Sequence, residues 1–242
     1  MIKVHSYESM GANDGPGLRL VVFLQGCNFR CLYCANPDTI ALGGGTPTSP
    51  EEILRKALSQ RPFFGKRGGI TFSGGEPTLQ AHALVPLFHL LKEHGIHVCV
   101  DSNGSFWNTD VEELLTLTDL VLLDVKQMNP TRHRLLTHHA GEQTLRTAAW
   151  LEEHHKPFRL RYVLVPGYSD ADEDVRLLGR TLGSYEQIER VELLRYHTLG
   201  LHKYEEMGWE YPLKGVKENT PQEAEYMFRL LEEYFPGKVV MP

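Results

Sequence analysis

Leu18-Arg-Leu-Val-Val-Phe-Leu24, followed at once by Gln25-Gly26-Cys27-Asn-Phe-Arg-Cys31-Leu-Tyr-Cys34, decides how the chain is read. The first seven residues form a near-continuous apolar run, the pattern of a strand buried on both faces in a parallel sheet. Gln25-Gly26 ends the run, and three cysteines fall on the irregular segment just beyond the strand's carboxyl end. In βα-barrels that rim is where catalytic groups gather.

Outward from this strand the pattern alternates β-rich runs with helical stretches, which predicts parallel βα units closed into a full or partial barrel. Ser49-Pro-Glu-Glu52 has an N-cap Ser, Pro at N1 and Glu at N3, and opens a helix expected to run to about Gln60. Ile70–Phe72 is the next strand, and a helix from Leu79 to about His94 stops at Gly95. Strands are then expected at Ile96–Val100, Leu120–Val125, Phe158–Val165 and Val191–Tyr196, with a helix near Val111–Leu117 and an amphipathic helix over Pro221–Phe235. Gly43–Thr48 reads as a loop. Six strands with helices between them predict a partial (β/α)6 barrel, and no linker or repeat divides residues 1–242, so a single domain is expected.

Apolar residues make up 41% and charged residues 23%, the balance of a packed globular protein. The net charge of -6 lacks the basic stripe that a phosphate backbone selects, so nucleic acid is not an expected partner. No signal-like or membrane-spanning apolar run is present, and a cytoplasmic location off the membrane is expected.

Of the four cysteines, three fall within eight positions and Cys99 stands alone between valines, the opposite of a disulfide framework. Clustered thiolates suit an iron–sulfur cluster or zinc. A structural zinc site wants four closed ligands, usually as separated pairs, and no second pair accompanies these three. A three-thiolate [4Fe–4S] cluster instead leaves one iron open to a small molecule. Cys99 reads as a small buried hydrophobe.

Three further segments lie at predicted strand ends. Ser73-Gly-Gly-Glu-Pro77 combines a tight βα turn with glycines that let backbone approach a ligand closely. Asp101-Ser-Asn-Gly104 and Asp124-Val-Lys126 present polar groups at the same rim, and as turn chemistry alone they carry no function. Most of the twelve histidines, His138-His139 and His154-His155 among them, read as surface residues; His197 differs because it leaves the sixth predicted strand at the rim.

The Cys-x3-Cys-x2-Cys spacing, with aromatic Tyr33 before the last cysteine, resembles the radical S-adenosylmethionine superfamily. His5-Ser-Tyr-Glu8, Asp14-Gly-Pro-Gly17, Arg161-Tyr-Val-Leu-Val-Pro-Gly167 and Tyr196-His-Thr-Leu-Gly200 extend the resemblance along nearly the whole chain, to the activating enzymes of pyruvate formate-lyase. Arg195 stands where those proteins carry Pro, and Ser102 where they carry Thr.

The resemblance implies one [4Fe–4S] cluster on Cys27, Cys31 and Cys34, its open iron chelating S-adenosylmethionine. It implies cofactor contacts from Tyr33, Cys34, Ala35, Gly75, Asp124, Val125, Lys126 and His197. A monovalent cation, Na or K, would be held by Asp101, Ser102, Asp124 and the Leu122 backbone carbonyl. No general base is implied: an electron enters the cluster, the cofactor is cleaved, and a 5′-deoxyadenosyl radical takes hydrogen from a glycine of a partner protein. The implied partner is the glycyl loop of pyruvate formate-lyase, the electron donor flavodoxin or ferredoxin, and the chain a monomer. An activase of another glycyl radical enzyme, a small-molecule radical enzyme and a non-catalytic zinc module remain as alternatives. Residues 35–73 contain no cysteine, so no additional cluster is expected.

Overall fold

The computed structural model describes residues 1–241. The chain forms two compact units, Met1–Asn28 with Thr39–Leu122, and Phe29–Asp38 with the chain from Leu123 onward.

The first unit contains β1 (Ile2–Gly11), β2 (Arg19–Leu24), β3 (Thr46–Thr48), α1 (Pro50–Phe64), β4 (Gly69–Gly74), α2 (Ala81–Glu93), β5 (His97–Ser102), α3 (Thr109–Leu117) and most of β6 (Leu120–Asp124). Its strands run in the order β3-β1-β2-β4-β5-β6. The apolar run pairs in parallel with β4, Leu20 opposite Ile70, and β4 with β5, Ile70 opposite Val98. All of these side chains are fully buried, as are Ile53, Leu84, Leu87 and Phe88 of the covering helices. Arg19, the one polar residue of the run, is also fully buried. Its guanidinium donates to the carbonyls of Pro16 at 3.0 Å, Ile70 at 2.6 Å and His97 at 3.1 Å, and to Thr71 Oγ1 at 2.6 Å, which removes the penalty of burying it.

Two strands at one side of the sheet escape a local reading. β1 is antiparallel to both β2 and β3, and β3 lies in the Gly43–Thr48 stretch expected to be a loop. With Pro47 at its centre, β3 is a strand only because Ile2–Val4 lie beside it. The helix boundaries follow their caps. Ser49 Oγ accepts from the Glu52 amide at 3.2 Å, worth about 1 kcal/mol, but α1 continues one turn past Gln60 because Phe64 is buried. Gly95, at φ 64°, ends α2 as expected: the Ile96 amide donates to Leu91 O at 3.0 Å and the Gly95 amide to Lys92 O at 2.9 Å.

The second unit contains α4 (Pro130–Thr137), α5 (Glu142–Glu153), β7 (Phe158–Leu164), α6 (Asp172–Leu182), β8 (Ile188–Arg195), α7 (Leu201–Glu206), α8 (Pro221–Glu232) and β9 (Val239–Val240). β7, β8 and β9 are parallel neighbours in that order, and β9 is a further strand the sequence pattern does not announce. A capping box between Thr220 and Glu223 opens α8. Leu136, Val165, Tyr196, Tyr204, Tyr211 and Leu213 form a buried cluster against which Leu32 and Tyr33 pack. Along the chain β4, β5, β6, β7 and β8 are each followed by helix, as is β2 once the short strand β3 is passed, the alternation of a partial (β/α)6 barrel. Among the described residues no helix is long and apolar enough to cross a membrane.

Candidate functional site

In the first unit the candidate residues converge on a buried carboxylate. Gly75 and Glu76 pack on the backbone that leads into Cys27: the Gly75 amide donates to Leu24 O at 2.8 Å and the Glu76 amide to Gly26 O at 2.7 Å. A Cβ on Gly75 would collide with the Gly26 carbonyl, so the close approach that needs glycine here is to the cysteine loop's own backbone. Glu76 is 1% exposed. Its Oε1 accepts from the Thr78 amide at 3.0 Å, Thr78 Oγ1 at 2.6 Å and Ser102 Oγ at 2.7 Å, and its Oε2 from the Asn103 amide at 2.7 Å. Burial pushes its carboxyl above the ordinary range, and these donors pull it back.

Glu76 thereby locks the Asp101–Gly104 turn onto the Gly-Gly-Glu turn. Ser102 Oγ, having donated its proton to Glu76, accepts from the Gly104 amide at 2.9 Å and keeps a lone pair. Asp101 Oδ2 accepts from Ser73 Oγ at 2.7 Å. Asn103 Nδ2 donates to Asn28 Oδ1 at 3.1 Å, and Asn28 Nδ2 to Ser105 Oγ at 2.7 Å, so the residue after Cys27 is tied to the same turn. Leu122 lies in β6 with its side chain buried beside Cys99 and Leu120.

The second unit holds the rest of the cysteine loop differently. The Cys34 amide donates to Cys31 O at 3.1 Å, closing a turn. The Arg30 amide donates to Thr137 O and the Leu32 amide to Leu136 O, both at 2.9 Å. Tyr204 donates its hydroxyl proton to Cys34 O at 3.1 Å, and Lys203 Nζ reaches Asn36 Oδ1 at 2.8 Å and Asp38 at 3.0 Å. Gly200 lies against Ala35, where a Cβ would come within 2.8 Å of Ala35 Cα. Burial pushes the Cys34 thiol up.

Lys126 Nζ donates to Asp124 Oδ2 at 2.6 Å and stands 5.6 Å from the centre of the Tyr33 ring. Burial penalises the ammonium, but Asp124 outweighs it and holds the Lys126 pKa well above its ordinary value. The Tyr33 hydroxyl is buried without a hydrogen-bond partner, and burial drives the phenol far above its usual range. The Val125 amide donates to Arg161 O at 3.0 Å, with the Arg161 and Arg159 side chains both on Glu192. His197 is exposed; its Nδ1 accepts from the Leu199 amide at 3.4 Å, which assigns the proton to Nε2.

Sequence reasoning missed Glu76 as the hub, Asn28, and the carboxyl end of α4. Glu76 carried a signal, as the acid closing Gly-Gly-Glu. The α4 contacts carried none, since Leu136 and Thr137 are far along the chain. His139 is a correction: expected at the surface, it lies against Phe29 with ring centres 4.9 Å apart.

Among the described residues no three His, Cys, Asp or Glu side chains are gathered closely enough to hold a single metal ion. The donor set fits a multinuclear thiolate-bound cluster: three cysteines outside any disulfide on eight consecutive positions, with a cationic lysine over the aromatic ring of Tyr33.

Residues 21–178 match the sequence profile of the Radical SAM superfamily. The pyruvate formate-lyase-activating enzyme of Streptococcus mutans is 44% identical over 96% of this chain and 93% of its own. The pyruvate formate-lyase 1-activating enzyme of Escherichia coli is 42% identical over 96% of each. A crystallised domain of a pyruvate-formate lyase-activating enzyme from Bacteroides vulgatus superposes with a TM-score of 0.61 at 24% identity, over 72% of this chain and 99% of that one.

Proposed function

The chain belongs to the radical S-adenosylmethionine superfamily, with the partial (β/α)6 barrel of that fold, and from this premise we propose the residue roles of a pyruvate formate-lyase activase. When bound, the [4Fe–4S] cluster supplies the electron that cleaves S-adenosylmethionine to methionine and a 5′-deoxyadenosyl radical, which takes hydrogen from a glycine of pyruvate formate-lyase. Cys27, Cys31 and Cys34 would hold the cluster. The observation that carries the reading is the backbone around the cysteines, none of which is in a disulfide: Glu76 and Asn28 hold the stretch at Cys27 in the first unit, and α4, Tyr204 and Lys203 hold residues 30–38 in the second.

The remaining residues bind and orient. Lys126, kept charged by Asp124, offers a fixed cation to a carboxylate, and the Tyr33 ring an apolar face to a nucleobase. Gly75, Ala35 and Val125 offer backbone. His197 presents an Nε2 proton from an exposed position. Asp101, Ser102, Asp124 and the Leu122 carbonyl form the oxygen set for a monovalent cation, Na or K; the lone pair left on Ser102 Oγ suits that role. We assign flavodoxin or ferredoxin as the electron donor, a monomeric state, the cytoplasm as the location, and residues 1–242 as one catalytic domain.

The test is anaerobic incubation with reductant, S-adenosylmethionine and purified pyruvate formate-lyase, read by electron paramagnetic resonance. A glycyl doublet that appears only with all components supports the roles. Zinc bound in place of iron and sulfide, or a glycyl signal raised only on a different glycyl radical enzyme, defeats them.

A further inference from the structure

The two amides that flank Cys31 do not point into free space. Arg30 N–H and Leu32 N–H are taken by Thr137 O and Leu136 O, the last carbonyls of α4, each at 2.9 Å. A helix leaves its final carbonyls without intrahelical donors, and here the cysteine loop supplies them.

That helix end is itself braced. His133, 2% exposed, approaches His139 O at 2.8 Å through Nδ1; a carbonyl only accepts, so Nδ1 carries the proton. Thr137 Oγ1 donates to His133 O at 2.8 Å and accepts from the His139 amide at 3.2 Å. Phe29 meets the His133 ring edge-on at 5.6 Å. Gly141 leaves room for that ring, since a Cβ there would stand 2.7 Å from His133 Cδ2.

The reduction potential of an iron–sulfur cluster rises with each hydrogen bond donated to its sulfurs, because donors stabilise the added negative charge. The carboxyl end of a helix, carrying partial negative charge, acts in the opposite direction. We infer that the α4 terminus, held by His133, keeps the Arg30 and Leu32 amides off the cluster and so holds its potential low, making His133 a positioning residue for reductive cleavage. The inference rests on the cluster assignment proposed above. It gives a physical reason for the loop's tie to α4: a cluster that must reduce a sulfonium should be poor in hydrogen-bond donors.

The experiment is a redox titration of the anaerobically reconstituted full-length protein, without S-adenosylmethionine or partner, following the reduced cluster by electron paramagnetic resonance and assaying iron and sulfide per chain. His133→Ala removes the brace; Gly141→Ala keeps His133 but displaces its ring, at a φ of -99° that alanine accepts. Both should retain iron and shift the reduction equilibrium about tenfold toward the reduced form, about 59 mV upward for a one-electron couple. His133→Asn, whose side-chain amide can donate in place of Nδ1–H, should return most of the shift. Variants with full iron and an unmoved or lowered midpoint overturn the inference, as does an Asn variant shifted as far as Ala. Iron loss in all three would also overturn it, since the helix end would then support folding and not potential. A wild-type chain that assembles no iron–sulfur chromophore defeats the parent assignment as well, whereas a normal wild-type cluster with unshifted variants defeats this inference alone.

Discussion

The two units each fix their own candidate residues, around opposite charges. In the first, turns from β4 and β5 donate to one buried anion, Glu76, which accepts four hydrogen bonds within 3.0 Å. In the second, Lys126 is a cation balanced by Asp124, and the Cys31–Cys34 turn is held by helix carbonyls and aromatic packing. A carboxylate accepts from several directions at once and can gather backbone amides from separate turns. An ammonium cannot hold amides at all, so the second unit uses carbonyls for that purpose and leaves its cation for a ligand.

The largest break expected in this comparison is at the cysteines, Cys27 in the first unit and Cys31 and Cys34 in the second. Cys27→Ser, Cys31→Ser or Cys34→Ser should each abolish cleavage of S-adenosylmethionine, measured as 5′-deoxyadenosine, and lower iron from about four per chain, because three cluster thiolates leave no spare. A Cys31→Ser variant with native turnover would sink the ligand assignment.

Next comes the anion hub. Glu76→Gln places an NH2 where Oε2 now accepts from Asn103, at a cost of about 1–3 kcal/mol in urea unfolding. The effect should depend on pH. Because the folded-state pKa of Glu76 is raised, its protonation favours the native state at low pH, and that advantage is lost as pH rises through the elevated pKa. The stability gap between native and Gln variant should therefore be widest in acid, narrow as pH climbs past the usual carboxylate range, and then level off. A gap that widens with pH would contradict this.

Smaller still, Asp101→Ala and Asp124→Ala should weaken cofactor binding about tenfold, about 1.4 kcal/mol, with iron content kept. Calorimetric titrations in Na and in K that match wild type for both variants would remove the cation site. Least of all, Cys99→Ala should leave iron and cleavage untouched and cost about 1 kcal/mol as a lost core contact. Iron loss there would mean that the fourth thiol had been misread.

The elements that were legible have local causes. The run ending at Leu24, the Ser49 cap and the Gly95 stop are recorded in the residues that form them. β3 and β9 are short edge strands whose only cause is a neighbour, and nothing in Thr46–Thr48 or Val239–Val240 records that neighbour's presence. The candidate residues divide the same way. Tyr33 next to Cys34, and Asp124 two residues before Lys126, were visible because each pair is close in sequence.

What the sequence determined by itself is the chemistry: three thiols at fixed spacing, a strand to present them, and turns whose glycines and acids sit at strand ends. Spacing along one chain sets which atoms a short loop can offer, so a short motif suffices. Only the tertiary structure decided what holds those atoms still. Asn28 meets Asn103, and Arg30 and Leu32 meet Thr137 and Leu136, across separations that no periodicity encodes. Buried amides must find acceptors, and which carbonyl or carboxylate comes within 3 Å is settled by packing.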